Sequence, residues 1–426
     1  MNGSTMLNDK LNIVVLGLWH LGSVTSACCS QYYNVLGVDF DDGIVNNLNK
    51  GLAPLFEPNL DELILSGLKN KTLAFTSNVS DIKNVDVLWI TYDTDVDEND
   101  ESDVESVLKN IDGVLKCIPN TLVIISSQLP VGTCLKLEIK YPNHNFVSIP
   151  ENLRLGKSIE SFEKPDRIVI GVRSDSYNCL LSELLHPFSS NIIFMKTESA
   201  EMTKHAINSF LALSIVFINE IASLCESVGA NASEVSIGLK SEVRIGKKSY
   251  LKPGGPFAGG TLARDVVSLM NLDKDDSIPL ITSIKRSNDV HKKWPIKKLN
   301  SLFSSLKDKN VVILGISYTD MTDTLRRSDA IELYEYFRGC GSDVSILDPM
   351  ICRLPKEYDH IKLIEKINNT VDIIIVYTER TSFKQIEWDI VLPKNKLIVV
   401  IDVNGFLKSE LQSISNIKYF SFGDSK

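Results

Sequence analysis

The 426-residue sequence has no Cys-x-x-Cys pair among its eight cysteines and no histidine cluster at zinc spacing among its six histidines, which excludes the usual structural zinc sites. The cysteines, at 28, 29, 117, 134, 179, 225, 340 and 352, are scattered along the chain, and the reading is of reduced thiols in a cytoplasmic protein. No unbroken apolar run of about 18 residues occurs, and the opening Met-Asn-Gly-Ser-Thr-Met-Leu-Asn-Asp-Lys lacks the charged-then-apolar order of a signal peptide. No membrane partner is therefore expected. An excess of basic residues is lacking too: the net charge is −9 and the pI about 5.3, against the broad basic face that nucleic acid requires. Short-period repeats and low-complexity tracts are also missing.

What is present suits a large enzyme. An apolar content of 43% over this length fills two or three domain cores. Leu11–Leu16 is a compact β-rich run that breaks into Gly17-Leu-Trp-His-Leu-Gly22, which reads as strand, tight turn and helix. Asn34–Asp39, Val85–Thr91, Thr121–Ser126 and Arg167–Gly171 read as further strands. Alternation of strands with helical stretches predicts a doubly wound, mostly parallel sheet. From about Ser199 the β signal stops, and Ala200–Val228 carries apolar residues at helical spacing until Gly229. Asn310–Gly315, Asp343–Asp348, Val371–Tyr377 and Leu397–Asp402 then restart the α/β pattern. The fold class is thus α/β: two Rossmann-like doubly wound domains, 1–198 and 296–426, joined by a central helical domain with a long helix, 199–295.

A dinucleotide turn needs a glycine for the bend, a second for close approach of pyrophosphate, a third for helix–strand packing, and an acid about 20 residues on for the ribose. Gly17 and Gly22 take the first and third places, and Asp39 ends the second strand. A carboxylate there repels a 2′-phosphate, so NAD is favoured over NADP. Trp19 occupies the second glycine's place, so its indole has to turn away from the phosphates or push them outward. His20 is a candidate to face the ligand, the ordinary alternative being a solvated histidine at a helix start.

Longer motifs follow: Leu55-Phe-Glu-Pro-Asn-Leu-Asp-Glu-Leu63, Ile149-Pro-Glu-Asn-Leu-Arg-Leu-Gly-Lys157, Lys164-Pro-Asp-Arg-Ile-Val-Ile-Gly171, Ala200–Glu226, Arg244-Ile-Gly246 and the glycine loop Lys252–Asp265. Together they resemble the nucleotide-sugar 6-dehydrogenases, the family of UDP-glucose and UDP-N-acetylmannosamine dehydrogenases. The resemblance implies an enzyme that oxidises a primary alcohol of a nucleotide sugar twice, with NAD on the N-terminal domain, the sugar on the C-terminal domain, and a homodimer paired through the long helix. It implies catalytic roles for Glu151 as acid/base, Lys204 for oxyanion charge, Asn208 for orienting a water or hydroxyl, and Asp265 for proton transfer. Lys204 and Asn208, four apart, would share a helix face; a solvated pair is the plain alternative. Gly17, Trp19, His20, Leu21, Gly22, Asp39, Thr94 and Gln128 would lie at the cofactor. Arg244, which resembles the arginine that reaches the partner's substrate phosphates, would meet the substrate with Tyr250, Leu251, Phe257, Gly259 and Arg326.

The chain departs from that family at telling places. Thr261 stands where the family has its nucleophilic cysteine, and a hydroxyl does not match a thiolate without a dedicated base. Gln128 replaces a hydroxyl that helps hold the catalytic water. Thr319 stands for a substrate-binding lysine, and Asp402-Val-Asn-Gly405 lacks an arginine. Three readings stay open: a dehydrogenase without the thioester step, an epimerase using NAD transiently, and a non-catalytic nucleotide-sugar-binding relative.

Overall fold

The computed structural model describes residues 10–424 apart from 95, 96, 98–100, 258–260, 318, 319, 321–324, 326, 327 and 352. The chain divides into two compact units, 1–206 and 207–426, with the division inside one helix, Thr197–Val228. Residues 207–295 of the expected central helical segment fall in the second of these units.

In the first unit, strands β1 (Asn12–Leu16), β2 (Asn34–Val38), β3 (Leu73–Thr76), β4 (Val87–Ile90), β5 (Leu122–Ile125), β6 (Asn145–Ser148), β7 (Ile168–Val172) and β8 (Ile192–Lys196) form one sheet. Its order is β3-β2-β1-β4-β5-β6-β7-β8, parallel except where β6 meets β7. Strands β1, β4 and β5 are buried almost throughout, so helices cover both faces, and such strands read as unbroken apolar runs. Side chains of β1 alternate between two cores: Ile13 and Val15 join one, Val14 and Leu16 the other. The chain reverses direction of sheet growth between β1 and β4, where an open α/β sheet places its ligand crevice.

The second unit holds β9 (Asn310–Leu314), β10 (Asp343–Leu347), β11 (Ile373–Val376), β12 (Ile398–Asp402) and β13 (Ile417–Phe420), all parallel, in the order β10-β9-β11-β12-β13. Helices Ala232–Ser241, Thr261–Met270 and Pro279–Lys292 precede this sheet. The predicted strands recur to within about two residues, the usual scatter of element ends. Four strands that the sequence did not announce, β3, β6, β8 and β13, are only four or five residues long, and β8 and β13 contain no fully buried position.

The helix Thr197–Val228 is 32 residues long, with a window of mean hydropathy 1.7, enough by length and composition to cross a membrane. That window is 44% buried inside the protein. Its polar side chains, described below, make specific hydrogen bonds to neighbouring loops, as an interior helix does.

Candidate active site

At the end of β1 the chain must turn sharply into the helix His20–Cys29. Gly17 does so at φ +95, where an added Cβ would fall 2.7 Å from the Tyr92 ring, and a Cβ on Gly22 would lie 1.7 Å from the Gly17 carbonyl oxygen. The helix begins without a side-chain cap and without an acid in its first turn, leaving its amides and positive dipole end for an anion. Asp39 accepts the Leu18 amide at 2.6 Å and the Asp41 amide at 3.1 Å, which fixes the acid beside the turn. Leu21 is buried in the helix, whereas Trp19 is 42% exposed. Thr94, buried after β4, donates to the Gln128 carbonyl at 3.1 Å and ties the loops after β4 and β5 together. These features fit a dinucleotide.

The His20 side chain is 13% exposed. Its Nε2 lies 2.8 Å from Glu57 Oε1 and 3.0 Å from Ser158 Oγ. Glu57 comes from the loop before the helix Leu60–Lys69, and Ser158 from the end of the segment that follows β6.

That segment also carries Glu151. Lys204 Nζ stands 3.0 Å from Glu151 Oε1 and donates to the Glu151 carbonyl at 2.7 Å, while Glu151 Oε2 accepts the Leu153 amide at 2.6 Å. Both residues line a small, partly open cavity with Ser127, Gln128, Leu129, Ser148, Glu201 and His205. Lys204 is placed there because the helix that bears it is pinned on either side. One turn earlier, Glu201 accepts the amides of Gly132 at 2.6 Å and Cys134 at 3.0 Å, capping the helix Thr133–Lys140 from outside. The next residue, His205, holds the Leu129 carbonyl with Nε2 at 3.2 Å. Neither contact is visible in a local sequence pattern.

In the second unit, the Asn208 amide donates to Asp265, and both side chains are buried. Asp265 lies on the helix Thr261–Met270, which Thr261 opens with an exposed side chain. Asn219, eleven residues beyond Asn208 and so on nearly the same helix face, accepts the Gly254 amide at 3.1 Å and donates to the Gly255 carbonyl at 3.2 Å. Asn288 holds Phe257 by both amide and carbonyl, at 3.0 and 2.9 Å. His291 reaches the Gly254 carbonyl at 2.6 Å, and Asn404, in the segment that lacks the expected arginine, accepts the Gly255 amide at 2.8 Å. Four polar side chains thus set the backbone of the glycine loop. Burial pushes the His291 pKa down, so this histidine stays neutral at physiological pH.

The remaining substrate candidates are less gathered. Leu251 and Phe257 are buried, Phe257 in an apolar cluster with Ala212, Val216, Ala263, Val266 and Ile284. Tyr250 is exposed, and Arg244 is exposed with its guanidinium on Glu242 at 3.0 Å. Gly259, Thr319 and Arg326 lie outside the described residues. Sequence reasoning missed Arg380, which is buried and meets both oxygens of Asp348 at 3.1 Å. Asp348 also accepts the Ile316 amide at 2.9 Å, the counterpart of Leu18 and Asp39.

Comparison with known proteins agrees with this architecture. Residues 11–189, 198–290 and 312–409 match, in turn, the NAD binding, central and UDP binding domains of the UDP-glucose/GDP-mannose dehydrogenase family. The chain belongs to this family. A UDP-glucose 6-dehydrogenase of Rickettsia typhi is 33% identical over 97% of this chain and 99% of its own length. Among solved structures, a UDP-glucose dehydrogenase from Pyrobaculum islandicum superposes with a TM-score of 0.87 at 23% identity, covering 100% of both chains. A UDP-D-ManNAc dehydrogenase from Pyrococcus horikoshii gives 0.84 at 24% identity over 97% of this chain and 100% of its own. Membership of the UDP-glucose/GDP-mannose dehydrogenase family makes NAD the cofactor of the first unit, where the open helix start and Asp39 fit it.

Cys134 sits beside Glu201, near the cavity, but burial first and the Glu201 charge second hold its pKa well above the ordinary thiol value. A thiol kept protonated is a poor nucleophile.

Proposed function

We propose that this protein is an NAD-dependent dehydrogenase that oxidises a primary alcohol of a nucleotide sugar and does so without a thioester step. The observation that carries the reading is the Glu151–Lys204 pair, 3.0 Å apart in the cavity of the first unit. NAD, when bound, accepts hydride. Gly17, Gly22, Leu21 and the helix start at His20 would hold its pyrophosphate, Asp39 its ribose, and Thr94 with Gln128 the loop edge beside it. Glu151 would take the proton from the hydroxyl oxygen as hydride leaves the carbon that bears it, and Lys204 would steady negative charge on that oxygen. Asn208 and Asp265 would supply a second hydrogen-bonded pair for the oxygen chemistry.

Thr261 supports the absence of the covalent step, since an exposed secondary hydroxyl with a high pKa does not form the thiohemiacetal. We infer that the aldehyde, where it is oxidised further, reacts as its hydrate. Arg244, Tyr250, Leu251, Phe257, Gly259 and Arg326 remain the proposed substrate contacts. A supply of UDP-, GDP- and dTDP-sugars with NAD tests this: NADH absorbance is read against product mass. Two NADH per acid supports hydrate oxidation, and one NADH with an aldehyde supports a reaction that stops halfway. A new sugar without net NADH would select the epimerase, and no turnover with any sugar would sink the dehydrogenase reading.

We further propose a cytoplasmic homodimer. On the long helix, Phe210, Phe217 and Leu224 recur every seven residues and are 66, 45 and 61% exposed. Such a stripe matches the seam of a helix pair, and a second copy of the chain is the occupant it fits. Light scattering on Phe217→Glu should read half the mass of the native protein; an unchanged mass would exclude this face.

A further inference from the structure

Between β6 and the short helix Ser158–Glu163 the chain that carries Glu151 has no regular secondary structure. Side-chain bonds must therefore set its shape, and they converge on one carboxylate. Glu57 accepts the Gly156 amide at 2.9 Å, the Ser158 amide at 3.3 Å and the Ser158 hydroxyl at 2.8 Å. Its remaining partner is His20, 2.8 Å away. Burial raises the Glu57 pKa, but hydrogen bonds from His20, Gly156 and Ser158 outweigh it and hold the carboxyl below its usual value.

An ionised carboxylate only accepts, so the proton of the shared contact sits on His20 Nε2. Ser158 Oγ, 3.0 Å from that nitrogen and 3.0 Å from the Arg154 carbonyl, accepts from the imidazole while donating to Glu57 or to Arg154. His20 is also the first residue of the helix that opens the dinucleotide turn. One series of bonds thus joins the turn to Gly156 and Ser158, and the loop between them and Glu151 is closed by the Leu153 amide on Glu151. Because a buried carboxylate stripped of a donor is costly, the members move together.

We propose that His20 is a positioning residue that couples the dinucleotide turn to the Glu151 loop, with Glu57 and Ser158 as the strut between them. The coupling means that an occupied turn orders the loop that presents the base. This rests on the reading of Glu151 and of the NAD turn given above.

Amide hydrogen exchange of the full chain with NAD alone, without sugar, tests it in the native protein and in His20→Phe, His20→Gln and Ser158→Ala. In the native protein NAD should slow exchange at 17–22 and at 152–158. At saturating NAD, His20→Phe and Ser158→Ala should keep the protection at 17–22 and lose it at 152–158. Their NAD affinity, read from tryptophan fluorescence, should weaken about 5- to 10-fold, in the range of ordinary coupling energies. His20→Gln, which retains one donor, should recover part of the loop protection. Protection at 152–158 that survives in both Phe and Ala variants overturns the strut, as does native protein in which NAD protects the turn alone. Should His20→Phe fail to fold, Ser158→Ala cuts the strut at its far end and decides the matter. Absence of any NAD protection in the native protein would sink the cofactor reading with it, whereas failure to oxidise every sugar, with the protection pattern intact, would sink only the substrate.

Discussion

Lys204 Nζ meets Glu151 twice, at the carboxylate oxygen 3.0 Å away and at the backbone carbonyl 2.7 Å away. The double contact fixes both where the carboxylate points and which charge faces it. A carboxylate held this way, if it is the proposed base, needs no search for its geometry when substrate arrives.

Replacing Glu151 by Gln keeps the shape and removes the base. The rate of NADH formation should fall about 10²- to 10⁴-fold, the usual contribution of a positioned general base, with NAD affinity nearly unchanged. Lys204→Ala should lower the rate on a similar scale. Initial rates and an NAD titration check both; a Glu151→Gln enzyme of native rate would remove Glu151 from the chemistry.

Thr261→Cys should install the thiol that the proposed reaction does without. A thiol at the first position of the helix Thr261–Met270 gains from the dipole at the helix start, which lowers thiol pKa values. Iodoacetamide should label it faster than the exposed Cys117 and Cys179. With NAD and substrate, the variant should accumulate a covalent adduct visible by intact mass, absent from the native protein. Slow labelling would show that the helix start does not activate this position.

Asn288→Ala strips Phe257 of two hydrogen bonds at once. Since Phe257 N–H and C=O lie in the interior, the loss should cost about 1–3 kcal/mol and loosen the glycine loop. Urea unfolding measures the first effect and hydrogen exchange at 254–257 the second. An unchanged exchange pattern would mean that Asn219, His291 and Asn404 suffice.

Asp329 gives the second unit a pH dependence of defined sign. Burial pushes its pKa up to about 6, although the Lys292 ammonium 2.8 Å away works in the opposite direction. Between the unfolded carboxylate value, about 4, and the folded value, the folded chain binds more protons than the unfolded one. Its contribution is therefore most favourable at low pH and is lost as pH rises through that window, by at most about 3 kcal/mol. In Asp329→Asn the stability measured by urea between pH 4.5 and 7 should fall less steeply than in the native chain. A slope identical to native would show that Asp329 titrates normally.

Much of the fold was legible because central strands buried on both faces, such as β1 and β9, read as unbroken apolar runs. The glycine turn was legible for a local reason: Gly17 must take a left-handed φ, and Gly22 must lie against the Gly17 carbonyl. Short peripheral strands were not legible, because β13 and β8 have no fully buried position to mark them. Glu151, Lys204, Asn208 and Asp265 were found through motif resemblance, and their pairing into Glu151–Lys204 and Asn208–Asp265 was not foreseen.

The outcome for His20 shows where the limit falls. Nothing beside it in the chain hints at Glu57, 37 residues on, or at Ser158, a further 101 residues from Glu57. The same holds for Asn288 and Phe257, 31 apart, and for Glu201 and Gly132, 69 apart. Local conformational preference and burial pattern are written in neighbouring residues, so the sequence alone determined the two doubly wound sheets, the long helix and the dinucleotide turn. Which donor meets which acceptor depends on how finished elements pack, and only the tertiary structure decided the carboxylate that holds the Glu151 loop and the side chains that hold the glycine loop.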